Sequence, residues 1–329
     1  MKENKKPILI SGMKPTGKMH LGNFFGSLKQ VIDLEDKYDN TYFIADFHAL
    51  TGVKNSKEFR DNTWDLALDC LGAGLDPKKI CIYKQSDVPE VTELTWFFSC
   101  LINVSYLMRA HAYKDAQAKG EEVNCGTFSY PILMAADILI HKSRFVPVGE
   151  DQRQHIEYAR DVAEKFNSTY KKIFPIPEGV ILESVGTVPG TDGRKMSKSY
   201  NNTIPLFATH EEIKKAVMKI PTDSKGVEDY KDPKECFVFK IHSLVTPEGE
   251  LSILRKRYLE GGIGYKESKE LLVESLDSYL KPFREKRSYY EKNPEEVKKI
   301  LKKGADKTRK RTQETMAEVR KSMGISFLK

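Results

Sequence analysis

Residues 8–23 read ILISGMKPTGKMHLGN. Pro7 to Ser11 make a short apolar run of the kind that forms a buried strand. A turn rich in glycine and proline follows, and a helical pattern starts near residue 22 and runs to about 37. From Gly12 to Lys18 the spacing is G-x-x-x-x-G-K, one position short of a P-loop. That motif needs Ser or Thr next, for Mg²⁺, and here Met19 stands. A glycine-rich turn between a strand and a helix start still presents a nest of backbone N–H groups, with Thr16, His20 and Asn23 beside it. His20 and Asn23 are three apart, share one face of a first helical turn and can serve one phosphate group. The competing reading is a helix-capping loop with an incidental histidine.

Outward from this stretch the same rhythm repeats. TYFIADFHAL (41–50) and KICIYKQSD (79–87) are apolar runs that end in polar groups, and EFRDNTWDLALDCLGAGL (58–75) between them has helical periodicity. Strands alternating with helices predict a parallel α/β sheet, with ligands beyond the strands' carboxyl ends. Ser11, Asp46, His48 and Gln85 fall there. From about 91 to 129 the rhythm breaks: VTELTWFFSCLINVSYLMRA reads as one long amphipathic helix, followed by a Lys/Gly/Glu-rich loop. This is an insertion with enough exposed apolar surface for a dimer contact. YPILMAADILIH (130–141) is apolar nearly all round and predicts a buried helix. FVPV (145–148) resumes the sheet, and GEDQRQHIEYARDVAEKF begins another helix. Near 204 the character changes. Thr209 and Glu212 form a capping box before EEIKKAVMKI, and helical patterns rich in Lys and Arg run to the end. The expected division is 1–204, α/β, and 205–329, all helical.

Composition fits an ordinary globular protein, with 40% hydrophobic and 31% charged residues. The apolar run after the basic MKENKK is too short for a signal peptide, and none approaches the roughly 18–20 residues that cross a bilayer, so a cytoplasmic location is expected. Five scattered cysteines without C-x-x-C argue against a zinc or iron–sulfur site and suit a reducing compartment. A net charge of +7 is compatible with a polyanionic partner without requiring one.

Three further stretches carry chemistry. In GRKMSKSYNN (193–202), Lys195 and Lys198 flank Ser197 on a glycine-preceded loop, suited to neutralising a departing phosphate chain; the alternative is a solvated basic loop. In the helix 130–141, Tyr130, Met134 and Asp137 share one face. A carboxylate in so apolar a helix needs a partner, either a salt bridge or a ligand N–H. In VPVGEDQRQH (146–155), Glu150 and Asp151 at a helix start can accept ribose hydroxyls or simply complement the helix dipole.

Taken together, His20-Leu21-Gly22-Asn23 resembles the HIGH signature of the class I aminoacyl-tRNA synthetases, and Lys195 to Ser199 is KMSKS in full. SGMKPTGKMHLGNFFGSL, YFIADFHALT, YPILMAADILIH and VPVGEDQRQHIEYARDVAEKFN narrow the resemblance to the tryptophan/tyrosine subclass, and within it to the tryptophan-specific enzymes. The tyrosine-specific members share fold and signatures, but usually carry Gln where this helix has Met134. The resemblance implies a Rossmann-like parallel sheet, an all-helical anticodon-binding domain, and a homodimer through the 91–129 insertion. It implies L-tryptophan and ATP as substrates, Mg²⁺ carried by ATP, tRNA(Trp) as partner and no dedicated metal site. The tryptophan carboxylate would attack the α-phosphorus, so catalysis rests on positioning and electrostatics, with His20, Asn23, Lys195 and Lys198 the catalytic group.

The resemblance assigns ATP to Lys14, Pro15, Thr16, Gly22, Asn23, Gly149, Glu150, Asp151 and Val188, with Lys195, Met196, Ser197, Lys198 and Ser199 closing over the pyrophosphate. Tryptophan would lie among Gly12, His48, Tyr130, Met134, Ile138, Val146, Val148 and Gln152, with Asp137 on the indole nitrogen. A buried acceptor left unpaired by a wrong substrate discriminates by about 10⁴–10⁵, and no segment here has room for an editing domain. Lys14 stands where many members carry Gln, Ile10 where they carry Phe, and PGTDGR replaces a PTK-type run. Rival readings are the tyrosine-specific relative, a non-catalytic tRNA-binding paralogue and a true P-loop NTPase.

Overall fold

A computed structural model describes residues 6–118, 120, 122–147, 153–180 and 188–326. Strand β1 (Ile8–Met13) leads into α1 (Leu21–Asn23), a π-helical turn (Phe24–Leu28) and α2 (Lys29–Asp33). Then come β2 (Asp39–Ile44), α3 (Asp46–Ala49), α4 (Ser56–Gly72) and β3 (Cys81–Lys84). Next are α5 (Glu90–Ser99), α6 (Val104–Leu107), α7 (His111–Ala118), α8 (Cys125–Leu139), β4 (Phe145–Pro147), α9 (Arg153–Thr169) and β5 (Glu178–Val180). Helices α10 (His210–Met218), α11 (Phe237–Val245), α12 (Glu248–Glu260), α13 (Tyr265–Lys292) and α14 (Pro294–Ser322) complete the order. Among the described residues no helix is long and apolar enough to cross a membrane.

The five strands are parallel in the order β3-β2-β1-β4-β5. Strand order reverses at β1, and beside such a switch point an open sheet leaves a crevice at its carboxyl edge. The period of two sorts the strand residues onto two faces. Leu9, Tyr42, Ile44 and Ile82 join one apolar cluster, with α1, α4, α11 and α13. Ile10, Phe43, Ala45 and Tyr83 join the other, with α5, α8 and α9. Burial on both faces is why these runs are apolar throughout rather than alternating.

The helical region is continuous with these cores. Leu272, Leu276 and Leu280 of α13 belong to the first cluster, and Ala305, Met316 and Val319 of α14 to the second. Phe239, Leu251, Leu254, Tyr258 and Ile263 form a smaller cluster of their own. Helix α14 lies along β3, one of the two edge strands. A Cβ on Gly304 would come 1.8 Å from the Ile82 carbonyl oxygen, so only glycine permits this approach. Helix α10 begins with the expected capping box: the Thr209 N–H donates to Glu212 Oε2 (2.8 Å) and the Glu212 N–H to Thr209 Oγ1 (3.3 Å).

Residues 91–110 are not one helix. Asn103 is extended (φ −72°, ψ 144°) and starts α6 afresh after α5 has ended at Ser99. The apolar period runs through the break because Leu101 and Ile102 pack on the second cluster even outside a helix. Periodicity reports burial, and here burial continues where the helix does not.

Candidate active site

The carboxyl ends of β1, β2 and β3 meet the amino ends of α1 and α3 and the middle of α8. In the first loop the Leu21 N–H donates to the Ile204 carbonyl and the Leu206 N–H to that of Met19, tying the helix start to the segment after KMSKS. His20 precedes α1 and is buried. Its Nδ1 has no hydrogen-bond partner among the described residues. Burial, and next the charge of Lys198, push its pKa down to about 4, so it is a neutral imidazole at neutral pH. Asn23 Oδ1 accepts the His20 N–H (3.3 Å), so that oxygen serves the capping role weighed from the sequence.

The KMSKS segment lies against this loop. Lys198 Nζ donates to the carbonyls of Thr16 and Gly17, both at 2.9 Å. The Gly22 N–H points to Met196 Sδ at 3.3 Å. A Cβ on Gly22 would be 3.0 Å from the His20 ring and 3.3 Å from Met196 Cβ, so a side chain here would press on both where the two signatures touch. Met196 is buried, and its N–H donates to the Val188 carbonyl (2.9 Å), which seats Val188 beneath the segment. Ser197 and Ser199 bond through their hydroxyls at 2.8 Å. Lys195 is exposed, and its backbone bridges Pro189.

Buried Asn202 organises the segment. Its Oδ1 accepts the Ser197 N–H (2.8 Å), and its Nδ2 donates to Asp192 Oδ1 (2.6 Å) and the Lys195 carbonyl (3.1 Å). Asp192 belongs to PGTDGR, the run that departs from the family pattern, so that run supplies the anchor. Lys14 extends over Tyr130, 6.0 Å from the ring centroid, while Pro15 is buried and Thr16 exposed.

The second half of the site is a set of apolar side chains around a buried polar trio. Asp137 is 1% exposed. Gln85 Nε2 donates to both its oxygens (2.7 and 2.9 Å), and His48 Nε2 lies 2.9 Å from Oδ2. The orientation of the Gln85 amide follows from the Phe47 N–H, which donates to Oε1 at 3.1 Å and leaves only the NH₂ end for Asp137. Burial pushes the Asp137 pKa up, opposed first by its contacts with His48 and then by Gln85. Asp46 accepts the Ser86 N–H (2.9 Å) and hydroxyl (2.6 Å), fixing the ends of β2 and β3 together.

Around the trio, Tyr130 lies edge-on to His48 at 6.2 Å, Ile138 and Val146 are buried, and Met134 is half-buried on the second cluster. Gly12 is held against Phe43, which a Cβ would meet at 2.7 Å. The sequence readings at Val148, Gly149, Glu150, Asp151 and Gln152 lie outside the described residues. Among the described residues no group of three or more His, Cys, Asp or Glu is arranged to hold a metal ion.

Sequence reasoning had Gln85 at a strand end but gave it no role. Its signal was there: a polar residue closing an apolar run. Asn202, within KMSKSYNN, gave no local signal; Asp69 interrupts the apolar run LALDCLG, a signal that the reading passed over and that does not name its partners.

The comparisons with known proteins agree with this geometry. A family model described as tRNA synthetases class I (W and Y) matches residues 1–281. The chain is 46% identical over 317 residues to the tryptophan–tRNA ligase of Fusobacterium nucleatum, covering 96% of this chain and 97% of that one. It is 44% identical to that of Rhodopirellula baltica, with 96% and 99% covered. Among solved structures, tryptophanyl-tRNA synthetase from Campylobacter jejuni complexed with ADP and tryptophan superposes with a TM-score of 0.89 at 44% identity, over 96% of this chain and 99% of that one. With two signature loops in contact at the carboxyl edge of a parallel sheet, and relatives matched over nearly their full length, the chain belongs to the class I tRNA synthetases of the tryptophan and tyrosine group.

Proposed function

We propose that the chain is a tryptophan–tRNA ligase: it activates L-tryptophan with ATP to tryptophanyl-adenylate and pyrophosphate, then transfers the tryptophanyl group to tRNA(Trp). The observation that carries this reading is Asp137, buried among apolar side chains and held by Gln85 and His48. A carboxylate accepts about four hydrogen bonds, and the two donors leave capacity for one N–H, the single donor an indole ring offers. The tryptophan carboxylate attacks the α-phosphorus and the P–O bond to pyrophosphate breaks, so no protein nucleophile is needed.

His20, Asn23, Lys195 and Lys198 are the catalytic group. His20 as a neutral donor and the two ammoniums stabilise charge that develops on the phosphates. Lys14, Pro15, Thr16, Gly22, Val188, Met196, Ser197 and Ser199, with Gly149 to Asp151, bind ATP. Gly12, His48, Tyr130, Met134, Ile138, Val146, Val148 and Gln152 line the tryptophan slot. Mg²⁺ arrives with ATP as part of that substrate. Residues 1–204 serve activation and 205–329 bind tRNA, in a cytoplasmic homodimer joined through 91–129. Exposed Trp96, Val104 and Met108 on that insertion support the dimer.

The test is ATP–pyrophosphate exchange with each amino acid. Exchange that depends on tryptophan is expected. Exchange driven by tyrosine and not by tryptophan overturns the reading, and steady ATP hydrolysis without amino acid would point to a different enzyme class.

A further inference from the structure

Helix α4 carries an aspartate where its apolar pattern calls for a core residue. Asp69 is buried, and it accepts two hydrogen bonds. One comes from the Met19 N–H (3.2 Å), immediately before His20. The other comes from Arg287 Nε (2.7 Å), a residue of α13 that lies 218 positions away. Arg287 also reaches Asp65 and Glu291, and its guanidinium packs on Phe207 at 5.3 Å. One and two turns before it on the same face, Phe283 and Tyr279 pack against Phe24 and Phe25, at 5.1 and 6.0 Å. Those two phenylalanines open the π-helical turn that follows the signature. One face of α13 therefore holds both sides of the loop.

A buried ion pair is poor evidence of stabilisation, since an apolar pair of similar volume often does as well. What it supplies is position, because a guanidinium fixed at two sides orients the carboxylate that holds Met19. The same carboxylate acts on Lys198, counteracting the desolvation that lowers that lysine's pKa. We propose that Asp69 and Arg287 are positioning residues for the ATP half of the site, transmitting the placement of α13 to the His20 loop. This rests on the functional reading above and adds to it a route between the helical region and the phosphate-binding loops.

The experiment is exchange kinetics on the full-length protein with Asp69→Leu, Arg287→Met, Arg287→Lys and the Leu/Met double variant, each with its Tm. The single apolar variants are expected to raise the ATP KM on the order of tenfold, with the tryptophan KM within about twofold. Arg287→Lys recovers part of the loss, and the double variant costs less than the product of the singles. Asp69→Asn, which keeps the size and an acceptor for Met19, gives the same split should the larger change unfold the chain. Equal changes in both KM values, or an unchanged ATP KM in folded variants, overturn the proposal. If the unmodified protein shows no tryptophan-dependent exchange, the functional reading fails instead, and direct titration with ATP still measures the effect of the pair.

Discussion

Asp137 and His20 are both buried polar residues, and the surroundings of each decide what can be measured. Asp137 is held by Gln85 and His48 in the structure without substrate, and Asp137→Asn is expected to raise the tryptophan KM by about 10–100-fold, the value of a hydrogen bond to a charged group. The ATP KM is expected to stay within about twofold in pyrophosphate exchange, and equal effects would make Asp137 structural. His20 gives a pH signature. With a folded pKa of about 4 against an ordinary 6.5, the unfolded chain takes up the proton first. Its contribution is full above pH 6.5 and is lost as pH falls toward 4. His141 and His242, also lowered by burial, act in the same sense, while the raised carboxyls of Asp46 and Asp137 act against it. His20→Asn is therefore expected to flatten, without abolishing, the fall in Tm between pH 6.5 and 4.5, read by calorimetry. Both residues were legible in the sequence, one as a carboxylate in an apolar helix and one beside a glycine turn. Asp69 carries the same signal in α4, but nothing local names its partners, one fifty and the other 218 residues away.

Helices and turns show where pattern and packing diverge. The π-helical turn after Asn23 widens the backbone just behind the site, and Gln30 Nε2 donates to the Gly26 carbonyl within it at 3.2 Å. The sequence gives a continuous helical period there, as it does through the break between α5 and α6. An extra residue per turn, or four residues outside a helix, leaves apolar spacing almost intact. Strand ends were readable for the opposite reason: apolar runs closing on Asp46 and Gln85 mark the carboxyl edge of the sheet. Helix α14 depends on one contact of a different kind. Gly304→Ala places a methyl into the Ile82 carbonyl, so it is expected to cost about 3 kcal/mol, by overpacking. Denaturant unfolding measures this, and a loss under about 0.5 kcal/mol would mean that α14 docks more loosely.

The whole molecule joins regions that composition separates. The Lys/Arg-rich helices after 204 read as a unit apart, because charge on their outer faces outweighs the apolar stripe beneath. That stripe, Leu272, Leu276 and Leu280, shares a cluster with Leu9 and Ile82 of the sheet. For the proposed contact between copies, Trp96→Glu is expected to shift the sedimenting species from dimer toward monomer. Its Tm at low concentration should stay near that of the unmodified protein, since the side chain is exposed in one chain. A monomeric unmodified protein, or an unchanged sedimentation profile, would overturn a dimer contact at Trp96. The fitting of Gly304 against Ile82 also has a consequence in time. Cys81 on β3 bonds to the Gly304 carbonyl across 223 positions. A ribosome delivers the strand first, and at about 5–20 residues per second its outer edge waits roughly 10–45 s for its cover. During that interval an open strand edge stands in a crowded cell, ready to pair with a neighbouring nascent chain.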